Sequence, residues 1–174
     1  MKWQPLYIVD ILGEVVKAVD DVLFPVLNKH ILYYYGRPIQ ILTKLQKLNG
    51  SITLKDNKYP LFAVFQDFPE QTGTGYYAVV KFPKISIAML SNLTDEPQAR
   101  MTKTMKPVLY PIYGEFLRQL AKHPNVVGND PGAFQMVKWD RFGSEAEAKL
   151  NDYIDAIELQ NLELTFKTVT KCKS

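Results

Sequence analysis

The chain has 174 residues, 47% of them hydrophobic and 22% charged, and a formal net charge of +3 from 21 Lys+Arg against 18 Asp+Glu. Such a length predicts one domain over residues 1–174, with 167–174 as its one candidate mobile tail. The composition excludes a disordered or fibrous chain, the size removes any need for a metal or disulfide to fold, and the charge is too mild to imply nucleic acid by itself.

Along the chain, Ile8, Ile11, Leu12, Val15, Val16, Val19, Val22 and Leu23 recur at i, i+3, i+4 and i+7, which predicts an amphipathic helix from Leu6 to Leu27. Glu14, Lys17, Asp20 and Asp21 take the other side, and Pro25 predicts a stop or bend near Leu23. Ile31–Tyr35 reads as extended chain, because aromatic residues suit a pleated surface, and Gly36-Arg37-Pro38 breaks it. Pro38 opens either a short helix carrying Ile39, Leu42, Leu45 and Leu48, closed by Asn49-Gly50, or an alternating strand through Ile39, Ile41 and Thr43. Lys55 to Tyr59 reads as a polar loop, and Leu61–Phe65 as a strand covered on both faces.

The Pro and Gly residues between Asp67 and Tyr76 predict a mobile loop or hairpin tip. Tyr76 to Leu90 is extended, interrupted at Pro83, with Ile85, Ile87 and Met89 marking a core strand in its second half. Asn92 to Lys106 is polar with two turn signals. Leu109, Ile112, Tyr113, Phe116, Leu117 and Leu120 then form an unbroken stripe, with Pro107 and Pro111 at the start of that helix and His123-Pro124 at its end. Asn125–Gly132 is a loop, Phe134–Phe142 a third core strand, and Gly143–Leu150 a polar excursion. Tyr153–Val169 is one long strand in which Ile157 and Leu159 share one parity while Leu162, Leu164 and Phe166 share the other, predicting a β-bulge at Gln160-Asn161. The fold class that follows is α+β: a mixed or antiparallel sheet of about four to five strands, with a long N-terminal helix and a second amphipathic helix packed against it.

Candidate chemistry is sparse. Cys172 is the only cysteine, so no internal disulfide and no multi-cysteine zinc site can form. His123 suits the carbonyl end of a helix, and His30 a solvent or interface position. Met1–Asp10 lacks a secretory pattern, no run reaches the roughly 18 apolar residues of a membrane span, and an intracellular product without a membrane partner is expected. Gly73-Thr-Gly75 lacks the rest of a phosphate-binding fingerprint and reads as a turn. Asp152, Asp155 and Glu158 would serve a small carboxylate-dependent enzyme if they converged, but spacing of three in a strand separates them, and turn capping with surface charge is the plainer reading. Tyr33, Tyr34 and Tyr35 beside Arg37 would stack single-stranded nucleic acid in a DNA-binding accessory protein; half core and half protein contact is the plainer reading here too. Neither a catalytic residue nor a metal or other cofactor is assigned.

Four segments carry a resemblance: Lys58-Tyr-Pro-Leu-Phe62, Ile87-Ala-Met-Leu-Ser-Asn-Leu-Thr94, Lys106-Pro-Val-Leu-Tyr-Pro-Ile-Tyr113 and Asn151-Asp-Tyr-Ile-Asp-Ala-Ile-Glu-Leu-Gln-Asn-Leu-Glu-Leu164. Over residues 30–166 the chain resembles virion proteins of tailed bacteriophages of Bacteroides-like hosts, of the head–tail neck or tail-completion type and similar in shape to tail terminators. It departs from them at Asp140–Leu150, where Arg141-Phe-Gly-Ser144 stands in place of an aromatic Trp-Gly element. The resemblance implies a non-enzymatic structural protein in the virion. It implies a sixfold or twelvefold homo-oligomeric ring that meets portal, neck and tail proteins and touches packaged DNA without sequence preference. The expected contact residues are Tyr33, Tyr34, Tyr35, Arg37, Phe68, Tyr76, Gln160 and Asn161, with the edge of the last strand or the Lys55–Tyr76 loops adding backbone hydrogen bonds to a neighbour.

Overall fold

The computed structural model describes residues 3–5, 7–49, 57–72, 77–92, 94–128, 134–139, 153–167 and 169–171. Its elements run β1 (Trp3–Pro5), α1 (Ile8–Leu27), β2 (Leu32–Gly36), α2 (Pro38–Asn49), β3 (Leu61–Phe65), β4 (Glu70–Thr72) and β5 (Tyr77–Leu90). A continuous helical rod follows, built of α3 (Pro97–Arg100), a π-helix (Met101–Leu109) and α4 (Tyr110–Lys122). The strands β6 (Val126–Val127), β7 (Gln135–Trp139), β8 (Ile154–Lys167) and β9 (Val169–Lys171) complete the order.

Seven strands form one mixed sheet in the order β2-β3-β5-β8-β6, with β4 beside β5 and β7 beside β8. Only β2 and β3 run parallel; every other pair in the sheet is antiparallel. The remaining pair, β1 with β9, makes a separate two-stranded ribbon from the two ends of the chain. This is the α+β class expected. α1 and the helical rod cover one face, packing Leu12, Val16 and Phe116 against Phe62, Phe82, Ile157 and Phe166. On the other face Ile41, Leu42 and Leu45 of α2 meet Leu61, Ala63, Ala88 and Ala156. Each fully buried Val, Leu, Ile or Phe side chain among these contributes about 1.5–3 kcal/mol.

Local differences from the expected elements have physical causes. α1 passes through Pro25 to Leu27 and ends at Asn28, which is left-handed (φ 51°) with its N–H on the Phe24 carbonyl at 2.8 Å. Pro25 lies on the exposed side of the last turn, where only its own N–H bond is missing and two more residues complete the helix, so the chain does not break at Leu23. α2 forms as a helix, though Ile39 points to solvent while Ile41 takes its place in the stripe. The rod begins at Pro97, well before the stripe starting at Leu109, so 97–106 is helix and not the polar turn region expected. Pro107 and Pro111 lack the N–H of an ordinary α-helical bond and would clash with the carbonyls four residues back. The wider π-helix relieves both, as the Tyr110 N–H reaching the Met105 carbonyl five residues back illustrates. Its inward residues Met105 and Leu109 stand four apart, as in any helix, but with Thr102, Lys103, Thr104 and Lys106 around them they are too few to show as an apolar stripe.

β5 and β8 pair without a register shift from Tyr77↔Lys167 to Leu90↔Ile154. Phe82↔Leu162 and Lys84↔Gln160 bracket Pro83 and Asn161, which therefore stand opposite each other. Both strands change face at that level: Ala78, Val80 and Phe82 share a face with Ile85 and Ile87, as Leu162, Leu164 and Phe166 do with Ile157 and Leu159. The bulge expected at Gln160-Asn161 is thus corrected. No residue is extra against β5; two matched breaks, a proline and a left-handed asparagine (φ 60°), turn the whole ladder together. β7 is not a core strand either. It pairs only with β8, and Gln135, Met136 and Lys138 are exposed.

Candidate assembly surface

The two described carboxylates of the Asp152/Asp155/Glu158 set are buried, not on the surface or capping a turn as expected. They sit three residues apart in β8 and so face opposite sides of the sheet. The Asp155 carboxylate lies 3.5 Å from the Arg100 guanidinium, at the junction of α3 and the π-helix. On the opposite face the Glu158 carboxylate lies 2.9 Å from the Lys84 ammonium and accepts a 3.3 Å bond from the Gln160 amide. A carboxylate this deep is tolerable only beside a cation. The two do not converge on one substrate position. Asp152 lies outside the described residues, as do Gly73–Gly75, Asp140–Leu150 and Cys172.

The tyrosine cluster is organised by α1. Tyr33 and Tyr35 point to the α1 face and Tyr34 to the α2 face, all three half-buried. The Tyr33 hydroxyl donates to the Val9 carbonyl at 2.9 Å, and Gly13 brings the helix so near that a Cβ there would lie 3.3 Å from the ring. Burial first, then the Asp10 and Tyr35 charges, push the Tyr33 phenol well above its ordinary range. Tyr34, its phenol also raised by burial, lies under the Lys44 ammonium at 4.9 Å from the ring centre. Tyr35 packs on Phe68 (6.2 Å), which packs in turn, with its ring tilted, on buried Phe82 (4.7 Å).

β2 is a terminal strand of the sheet, and its outer side carries side-chain caps at both ends. The Ile31 N–H donates to Asp20 Oδ1 at 2.8 Å, while Asp20 Oδ2 holds His30 Nδ1 at 2.8 Å. At the other end the Arg37 N–H donates to Gln40 Oε1 at 3.0 Å. Gly36 (φ 153°) permits this, since a Cβ there would meet Gln40 Oε1 at 3.1 Å. The sequence marked Asp20 only as part of the polar side of the first helix and did not mark Gln40; a polar residue in the last turns of a helix or the first turn of the next gives no signal of a cap until its strand is placed.

The other expected contact residues are spread over the molecule. Arg37 is exposed beside β2, and Phe68 is half-buried beneath it. Gln160 is half-buried between Lys84 and Gln135, and Asn161 is exposed in the gap between β7 and β6. Tyr76 lies outside the described residues. β8 does not offer the open edge expected of the last strand: β5 lines one side, and β7 and β6 cover most of the other. Apolar exposure is concentrated at the end of α1, at Val22, Phe24 and Val26, where Phe24 stacks on His30 at 4.1 Å. Beside it lies a cleft of about 330 Å³ lined by Phe24, His30, Ile31, Leu32 and Tyr59 among others. His123 closes α4 and faces Glu14 of α1 at 3.2 Å, tying the two helices together.

Among the described residues no group of three or more His, Cys, Asp or Glu side chains gathers as a metal site, and no helix is long and apolar enough to cross a membrane. Comparison with protein-family models, with curated proteins and with solved structures finds no match.

Proposed function

We propose that this chain is a structural virion protein of a tailed phage, assembled in the host cytoplasm as a sixfold or twelvefold ring at the head–tail interface. In the neck, or as a tail-completion or terminator ring, it joins the portal side to the tail around the DNA passage. The observation that carries the reading is the terminal strand β2: a sheet edge bearing three tyrosines, flanked by the exposed apolar end of α1. Tyrosine gives contact area at low entropic cost, and an open sheet edge adds directional main-chain bonds, which is what subunits of a ring require of one another. The segment resemblance supplies the particle. The three lysines of the stretch Lys167–Lys173 would supply a non-specific contact with DNA phosphates.

The test is direct. Native mass spectrometry of the purified chain should give a closed oligomer of one stoichiometry, and cryo-microscopy of the virion should place it as a ring between portal and tail. A chain missing from purified particles ends this reading.

A further inference from the structure

We propose that the outer edge of β2, at Tyr33–Tyr35, receives one short extended segment of a second copy of this chain, the acidic stretch Asp67–Thr72 that contains β4. This rests on the ring reading above and specifies which surfaces meet. In a parallel pair, the N–H and C=O of one residue point to the same side, and successive residues alternate. The Leu32 N–H bonds the Pro60 carbonyl at 2.8 Å and the Gly36 carbonyl accepts from Gln66 at 3.0 Å, so Leu32, Tyr34 and Gly36 face β3. The odd-numbered residues face outward. Of these, the Ile31 and Arg37 N–H groups are closed by Asp20 and Gln40. Tyr33 and Tyr35 remain, with no strand beside them among the described residues.

Capping of this kind limits the edge to a three-residue window. It blocks unlimited edge-to-edge stacking while leaving room for a strand as short as β4. Charge selects the occupant. Exposed Lys29 stands at one end of the window, exposed Arg37 at the other, and the Lys44 ammonium lies over Tyr34 between them, while His30 is already held by Asp20; the segment that would enter bears exposed Asp67 and Glu70. β4 cannot reach the outer edge of its own β2, because β3 lies between β2 and β5 while β4 pairs with β5 at Ala78–Val80. The pairing is therefore between copies, uses two different patches, and repeats head to tail, which is the contact that closes rings.

Tyr35→Pro tests it. Proline removes the outward N–H and leaves the β3 bonds, made by Tyr34 and Gly36, in place. Tyr35→Ala controls for loss of the ring, and thermal unfolding of each variant checks the fold. Measured by analytical ultracentrifugation, Tyr35→Pro should weaken association by roughly tenfold or more relative to Tyr35→Ala, the scale of one lost hydrogen bond in a dry contact. Arg37→Glu and Glu70→Lys should each weaken it, and the double variant should restore it; this pair carries the test if the proline variant does not fold. Equal association of Tyr35→Pro and Tyr35→Ala overturns the edge contact while the ring stands. A swap that fails to restore overturns Asp67–Thr72 as the occupant. A wild-type chain that stays monomeric at every concentration overturns the ring reading and this contact with it.

Discussion

The two halves of the β5–β8 ladder, divided at Pro83 and Asn161, are built on different principles. From Tyr77 to Phe82, and from Leu162 to Lys167 opposite, burial alternates: Val80, Phe82, Leu164 and Phe166 face the helices while Lys81, Glu163 and Lys167 face water. From Ile85 to Ala88, and from Ile154 to Leu159, every residue is buried. Charges in the open half need no partner. Those in the closed half, Asp155 and Glu158, each sit against a cation from a different element, Arg100 and Lys84. The difference teaches that a carboxylate in a strand reports function only after the coverage of both faces is known. In this chain one buried acid, Asp155, ties the sheet to the helical rod, and the other, Glu158, ties two neighbouring strands.

The largest expected effect breaks the open half at its one packed face. Phe166→Ala, which removes a fully buried ring set edge-on to Phe82 at 6.3 Å, should cost about 3–5 kcal/mol in urea unfolding, whereas its neighbour on the wet face, Glu163→Ala, should stay within about 0.5 kcal/mol. Next comes the closed half. Lys84→Ala strands the Glu158 carboxylate, and because Lys84 is one-third exposed the loss should fall near the low end of the range for broken buried pairs, about 3 kcal/mol; Lys81→Ala, on the same strand beyond Pro83, should change little. A denaturation midpoint equal for the two lysine variants would erase the contrast.

At the boundary itself, Asn161→Val should cost about 1–2 kcal/mol, since a β-branched residue resists the left-handed conformation, and Asn161→Gly should be close to neutral. The smallest effect belongs to the neighbouring helix contact. Tyr33→Phe loses the bond to Val9 and about 1 kcal/mol. Because burial raises the folded phenol above its ordinary value of 10.0, the stability it confers is fully present below that pH and is lost as pH climbs from there toward the raised value. The wild type should therefore lose stability above pH ~10 more steeply than Tyr33→Phe, as thermal melts across that range will read.

Much of the scaffold was legible because its residues obey one period. The α1 stripe, the Leu61–Phe65 run and the α4 stripe each gave the right element from spacing alone. The face change in β8 was legible at Gln160-Asn161, but its form was not, because parity in one strand is blind to Pro83 across the ladder. The rod from Pro97 to Leu109 was hidden for a different reason: Met105 and Leu109 keep helical spacing, but Thr104 faces inward with them and Thr102, Lys103 and Lys106 surround them, so the apolar positions are too few to mark a stripe. Of the contact surface, the tyrosines and Arg37 were visible as residue types. Asp20 and Gln40, which set the length of the β2 edge, were not, since their partners are backbone groups more than ten residues away for Asp20 and across a helix start for Gln40.

By itself the sequence determined the local elements and the α+β class, because backbone preference and the one-sided burial of apolar residues act over a few turns of chain. The tertiary structure alone decided which strands lie at the edge, which face of β8 each acid enters, and where two matched breaks turn the ladder. Those depend on residues brought together in pairs, Lys84 with Glu158, Arg100 with Asp155 and Asp20 with Ile31, whose meeting is fixed by the close packing of whole layers.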